Sequence, residues 1–224
     1  MYFPMFIDLE GRSCLVAGGG KIAYRKLLTL RDFGAKVTAA APAFCEEITE
    51  LAAADKEVVT VETGLFDVSM AKHGDGISAC SNELGKLIEG KTLVIAATGS
   101  HELNHGIAIK CRELGIPINA VDQKEDCSFI FPSYVKEGDL VAAFSSGGKS
   151  PMLTQILKDR EREMLTPLMG KINDLLGCCR EFVPEVAAGE EERKRIYREI
   201  YDISISRGSC MTIDEVKQHL NIFN

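Results

Sequence analysis

The chain has 224 residues, 46% of them hydrophobic and 26% charged, which suits a soluble globular protein with a sizeable core. Its formal charge of −7 argues against general nucleic-acid binding, and no run approaches the ~18 apolar residues of a membrane span. The start, Met1 to Asp8, has no basic region and meets an acid too soon for a signal peptide, so a cytoplasmic protein is expected. The eight cysteines are scattered apart from Cys178-Cys179 and form no CxxC, which reads as free thiols in a reducing compartment.

In chain order, Met1 to Ile7 is an apolar lead-in and Asp8 to Arg12 a turn. Cys14 to Ala17 is a short apolar run, fit for a buried strand. It breaks into Gly18, Gly19 and Gly20, after which Ala23, Leu27 and Leu30 recur at helical spacing, and Gly34 closes that helix. Gly18-x-Gly20-x-x-Ala23 is the dinucleotide fingerprint in its Gly/Ala form. Gly18 permits the tight turn, Gly20 lets backbone approach a pyrophosphate, and Ala23 lets helix and strand pack closely. The helix N-terminus brings unpaired N–H groups and a partial positive charge to the phosphates.

Lys36 to Ala40 is the second strand. Where a dinucleotide fold usually carries a ribose-binding acid, this chain has Ala39, Ala40, Ala41 and Pro42, which leaves NAD against NADP undetermined. Phe44 to Ala54 reads as a helix and Val58 to Val61 as a strand. Residues 71–90, with His73 and Cys80, read as a variable loop–helix insertion. Thr92 to Thr98 is a strand buried on both faces, Glu102 to Leu114 a helix, and Pro117 to Val121 a strand ending at Asp122. Strands alternating with helices make a parallel sheet. Right-handed crossovers then gather the glycine loop, Ala41 to Ala43, Thr98 to Ser100 and Asp122 at one edge.

Beyond Asp122 the pattern changes. Phe129 to Val135 and Leu140 to Phe144 flank a Gly-bearing turn and read as a hairpin. Ser145 to Ser150 follows, with Ser150 as N-cap and Pro151 opening a helix. From Leu165 onward the chain reads as helices, with Pro184 to Gly189 as a connecting loop and Thr212-x-x-Glu215 as a capping box. The expected architecture is α/β: a Rossmann-like domain over 1–120, a small β/α piece over 121–164 and a helical domain over 165–224.

Two motif matches have blander explanations. His101-Glu102-Leu103-Asn104-His105 fits the zinc-protease pattern HExxH, but it follows a buried strand where a nucleotide-fold helix should begin, and no later histidine before 219 completes a three-His site. No resident metal is expected. Ala143 to Ser150 resembles a relaxed phosphate loop, but its strand belongs to a hairpin. The loop reads either as a turn with a helix cap or as an anion site, in which its N–H groups and Lys149 hold a substrate carboxylate.

Together these stretches resemble the dehydrogenase/ferrochelatase module of the siroheme synthase family. The residues that carry the likeness are Tyr2 to Leu9, Val16 to Lys26, Ala96 to Thr98 with Leu103 and Asn104, Asn119 to Asp122, and Phe129 to Ser133 through Ser145 to Pro151. The resemblance implies NAD-dependent oxidation of precorrin-2 to sirohydrochlorin, with Fe²⁺ insertion in some members. It implies a homodimer, with residues 121–164 as the dimerisation piece. It makes Asp122 the catalytic carboxylate and puts Ser146, a phosphorylation site in some relatives, in the tetrapyrrole pocket. Lys149 is the matching candidate for substrate carboxylates. Cofactor contacts carry over to Gly18, Gly19, Gly20, Lys21, Ile22, Pro42, Ala43 and Thr98. The family also lacks the ribose-binding acid. The chain departs from the usual pattern at Gly99-Ser100, where an acidic pair is common, and in the length of 71–90. Lys21, Arg25 and Lys124 are further cations that could meet a polycarboxylate. Oxidising the macrocycle releases a proton, and Asp122, an acid at a strand's carboxyl end, is placed to take it. A different class of reading, a nucleotide-sensing NAD(H)-binding regulatory module, needs the glycine loop but no base at 122.

Overall fold

The computed structural model describes residues 2–64, 68–69, 79–80 and 82–222. They divide into two compact units, Met1–Phe131 and Pro132–Asn224. The sequence suggested breaks after 120 and 164; here the segment after β7, residues 121–131, packs with the first unit.

The first unit is built on five parallel strands: β1 (Ser13–Ala17), β2 (Lys36–Ala41), β3 (Val59–Thr63), β6 (Leu93–Ala96) and β7 (Ile118–Ala120). Their order is β3-β2-β1-β6-β7. Two short pieces, β4 (Val68–Ser69) and β5 (Ala79–Cys80), pair antiparallel apart from this sheet. The helices are α1 (Lys21–Asp32), α2 (Glu46–Ala54), α3 (Asn82–Ile88) and α4 (His101–Glu113). Of the insertion expected over 71–90, residues 71–78 and 81 lie outside the described residues.

Strand β1 shows why the sheet is buried on both sides. Cys14 and Val16 point into a core with Ala23, Leu27 and Leu30 of α1 and Ile48 of α2. Leu15 and Ala17 point the other way, among Leu84, Ile88, Leu103 and Ile107 of α3 and α4. These four side chains are at most 1% exposed, so the apolar run from Cys14 to Ala17 has no polar face to alternate with. Helix α1 ends as its sequence requires: Gly34 takes φ +76° and its N–H donates to the Arg31 carbonyl.

Residues 122–131 fold back along β7. The Ser128 N–H donates to the Ile118 carbonyl, and Asn119 Nδ2 donates to the Phe129 carbonyl at 3.0 Å. Phe129 and Phe131 pack against the α1-side core. This corrects the expected hairpin strand over 129–135. The strand that forms is β8 (Ser133–Glu137), paired antiparallel with β9 (Leu140–Phe144). Pro132 has no N–H to give a ladder, and the two phenylalanines are partly buried against the core of the first unit.

In the second unit, α5 (Pro151–Met164) packs on that hairpin. Ser150 caps α5, its Oγ accepting from the Leu153 N–H, with Pro151 in the first turn. Helices α6 (Pro167–Cys179), α7 (Val183–Val186), α8 (Glu190–Arg207) and α9 (Ile213–His219) follow. Part of the loop expected over 184–189 is the single turn α7, because Pro184 in a first turn starts a helix as readily as it breaks one. The capping box at Thr212 and Glu215 is present with both hydrogen bonds. No helix among the described residues is long and apolar enough to cross a membrane.

Candidate functional site

A cleft of about 370 Å³ opens at the carboxyl edge of the sheet, between the glycine loop and the ends of β6 and β7. It lies beside the pair β1 and β6, where the strand order reverses direction and where open α/β sheets bind ligands. Gly19, Gly20, Lys21 and Ile22 line one side, and Thr98 and Asp122 line the other. The structure therefore brings these sequence-predicted residues together. Ala43 stands behind the loop, next to Gly19. Gly18, Pro42 and Ala43 are not among the cleft-lining residues. Ser146 and Lys149 belong to the second unit, in the turn between β9 and α5, where Ser146 Oγ accepts from the Ser150 N–H at 2.9 Å.

The three glycines do different work. Gly18 has φ +142°, a conformation that side chains rarely adopt, and a Cβ there would strike the Ala97 carbonyl. A Cβ on Gly19 would strike the Ala43 carbonyl. A Cβ on Gly20 would meet nothing within 4 Å, so its missing side chain leaves free space above the loop. Gly20 is also the N-cap of α1 and gives the helix no side-chain cap, and the first turn holds no acid. The result is an uncapped helix start with partial positive charge and an empty space large enough for backbone to meet phosphate, which fits a dinucleotide pyrophosphate. The end of β2 at Ala41 carries no carboxylate for a ribose, as its sequence requires.

Asp122 is exposed at the far side of the cleft and takes φ +61°, one of two described non-glycine residues with positive φ. Hydrogen bonds around the next residues fix this turn. The Gln123 N–H donates to the Ala120 carbonyl, while Gln123 Nε2 donates to the His101 carbonyl and to Asp126 Oδ2, both at 3.0 Å. Asp126 is 2% exposed and also meets His105 Nδ1 at 2.9 Å and Arg112 at 3.0 Å. Burial alone would raise the Asp126 carboxyl, but the His105 and Arg112 bonds override it and hold the group below its ordinary value. The two histidines of the HExxH match thus part: His101 lines the cleft and His105 braces Asp126. Among the described residues no group of three or more His, Cys, Asp or Glu is placed to hold a metal ion.

Sequence reasoning missed three contributors as site residues. Asn104 lines the cleft and binds Thr98; His101 lines it too. Lys26 sits over the Phe131 ring, and its neighbours in charge include Asp122. Asn104 carried a signal in its place one helical turn after the α4 N-cap Ser100, and His101 one in the motif match set aside above. A further cleft of about 490 Å³ in the helical unit is lined by Arg180, Arg193, Lys194 and Tyr197 among others. It gathers none of the sequence-predicted site residues, and its Lys194 is paired with Glu190 and Glu191.

Residues 5–133 match the profile of a family described as "Putative NAD(P)-binding", more than half of the chain. The chain belongs to this NAD(P)-binding family. The cofactor class expected from the glycine loop stands with it. The chain is also 33% identical over 201 residues to a siroheme synthase of Thioalkalivibrio sulfidiphilus (strain HL-EbGR7), covering 90% of this chain and 37% of that protein. A siroheme synthase of Ruthia magnifica subsp. Calyptogena magnifica is 31% identical over 222 residues, 99% of this chain and 43% of its own length. The chain therefore spans about two fifths of the length of these curated relatives. Among solved structures, one titled "SirC, precorrin-2 dehydrogenase" matches with a TM-score of 0.67 and 26% identity, covering all of both chains. The α/β, Rossmann-like fold with a helical C-terminal region is shared with that protein.

Proposed function

We propose that this chain oxidises precorrin-2 to sirohydrochlorin with NAD⁺, as a step of siroheme biosynthesis. The observation that carries the reading is that an uncapped helix start and an exposed carboxylate face one cleft: the α1 N-terminus with Gly20, and Asp122. Likeness to siroheme synthases and to a precorrin-2 dehydrogenase supplies the substrate. NAD⁺, when bound, accepts a hydride. The chain's own residues do the rest. Gly19, Gly20 and the first-turn N–H groups at Lys21 and Ile22 hold the pyrophosphate, with Pro42 and Ala43 beside them. Thr98 orients the end nearer β6. Asp122 takes the proton that the macrocycle releases as it is oxidised, and its turn is held by Gln123 so that the carboxylate stays on the cleft. Ser146 and Lys149 meet substrate carboxylates.

The same base would accept pyrrole N–H protons during Fe²⁺ insertion, so a second activity on sirohydrochlorin belongs to this proposal. So does a homodimer, built through residues 121–164 with 165–224 as the helical part; the exposed Met152, Leu153, Ile156 and Leu157 of α5 support it. Sedimentation of the purified chain tests the dimer.

The deciding experiment mixes the protein anaerobically with precorrin-2 and NAD⁺ and follows sirohydrochlorin by absorbance. Wild type is expected to turn over. Asp122→Asn is expected to fold and bind NAD⁺ while losing at least about a hundredfold in turnover, the usual scale for a lost general base. Normal turnover by that variant removes Asp122 from the mechanism. Tight NAD⁺ binding with no oxidation by wild type supports the nucleotide-sensing module instead. A parallel assay with Fe²⁺ and sirohydrochlorin decides the second activity.

A further inference from the structure

We infer that Asn104 is a cofactor-binding residue, and that its Nδ2 donates to an acceptor oxygen of the nicotinamide-riboside half of the dinucleotide. The inference rests on the pyridine-nucleotide reading above and deepens it.

Asn104 is 4% exposed and lines the cleft. Its Oδ1 accepts from the Thr98 N–H at 3.2 Å and from Thr98 Oγ1 at 2.7 Å. A backbone N–H can only donate, so chemistry fixes which end of the amide faces Thr98. The Nδ2 group is then committed to the other side. It makes no hydrogen bond among the described residues. It is also not sealed in: the one enclosed, unpaired side-chain nitrogen or oxygen among the described residues is Gln123 Oε1. Asn104 is thus a nearly buried amide with its acceptor used and its donor open, in a residue whose accessible side is the cleft. Its position is rigid. Ser100 caps α4 by accepting from the Leu103 N–H, Thr98 Oγ1 accepts from the Ser100 N–H, and the Asn104 N–H donates to the Ser100 carbonyl.

The sheet says which part of the ligand this donor meets. The phosphate-binding features, Gly20 and the α1 N-terminus, follow β1. Asn104 follows β6, the next strand over, and shares its side of the cleft with Asp122 beyond β7. The reacting ring must lie toward Asp122, so the open amide faces the riboside and carboxamide of that half and not the adenylate. Filling the cleft without an acceptor opposite Nδ2 would strand a buried donor, which is why the position selects an oxygen-bearing ligand.

The test compares NAD⁺ with ADP, which lacks the nicotinamide riboside, by calorimetric titration of the full chain. Asn104→Asp keeps both acceptor bonds to Thr98 and replaces the donor with a charged acceptor. We expect it to weaken NAD⁺ at least about tenfold and to leave ADP within about twofold. Asn104→Ala, which adds no charge, is expected to show the same split and serves alone if the Asp variant does not fold. Equal weakening of both ligands, or no weakening of NAD⁺, overturns the inference and leaves Asn104 as a brace for Thr98. Failure of the wild-type chain to bind NAD⁺ or NADP⁺ at all would overturn the functional reading instead, so the two failures are distinct.

Discussion

The ammonium of Lys26 lies 3.9 Å from the centroid of the Phe131 ring. Lys26 comes from the second turn of α1, and Phe131 from the segment that returns along β7. The pair therefore ties the nucleotide helix to the segment that follows Asp122 and returns along β7. Burial pushes the Lys26 amine below its ordinary value; Arg25 adds to this, while Cys127 and Asp122 oppose it.

Lys26→Met should weaken catalysis severalfold, because Asp122 loses a nearby cation, while leaving ADP affinity unchanged. The pH dependence of stability has a definite sign. A lysine whose folded pKa is depressed binds fewer protons folded than unfolded, so its contribution improves as pH rises from the folded value toward 10.5. Urea unfolding at neutral and alkaline pH should show wild type gaining relative to Lys26→Met on the alkaline side. An identical pH slope for both proteins would count against the burial.

The glycine loop separates structure from binding at adjacent residues. Gly19→Ala forces a Cβ into the Ala43 carbonyl, and we expect a loss of about 1–3 kcal/mol in unfolding free energy. Gly20→Ala meets no protein atom and has ordinary backbone angles, so the melting temperature should hold while NAD⁺ affinity falls tenfold or more. Calorimetry and thermal melts on the two variants read both effects.

Asp126 braces the Asp122 turn from below, and removing it leaves Arg112 and the Gln123 amide short of their acceptor. Asp126→Ala should cost about 1–3 kcal/mol, the scale for leaving hydrogen-bond partners without their acceptor, since Arg112 and His105 keep about half of their side chains in solvent. The sign with pH follows from a depressed carboxyl: its stabilisation is complete above the unfolded value of 3.8 and is lost as pH falls through the lower folded value. Denaturation of wild type should therefore steepen in acid, and that of Asp126→Asn should not.

In the helical tail, Arg207 and the Thr212 N–H hold the Glu215 carboxyl down at about 2, against 4.5 for the free group. The stabilisation from this group is present above 4.5 and fades as pH drops toward 2. Glu215→Gln should flatten acid unfolding in that window. Thr212→Ala, which removes the N-cap oxygen of α9, should cost about 1 kcal/mol near neutral pH.

Local signals carried most of the fold. Cys14 to Ala17, the glycines and the 3.6-residue spacing through Leu30 are contiguous, so periodicity alone located β1 and α1. Asp122 was legible for the same reason, as the residue ending an apolar run. What escaped depends on contacts between residues far apart in the chain. Phe129 and Phe131 alternate like strand residues, and nothing local says that they pack against the α1-side core. The His105 ring lies one turn from His101 in a motif that suggests zinc, yet its partner is Asp126, twenty-one residues on. Lys26 ends one of the stretches that carry the family likeness, but nothing local places the Phe131 ring against its ammonium. Pro184 opens the stretch expected as a connecting loop, and its role as a first-turn residue depends on where α7 begins.

The backward-bent peptide at Asp122 narrows what can ever replace it. At φ +61° glycine, asparagine and aspartate sit with the least strain, and β-branched residues are the most disfavoured. A longer acid at this position would keep the charge but distort the chain, so Asp122→Glu is the harsher change and Asp122→Asn the cleaner probe. A saturation library at position 122, sorted first for stability and then for turnover, should be enriched in glycine and short polar residues after the first sort and in aspartate after the second.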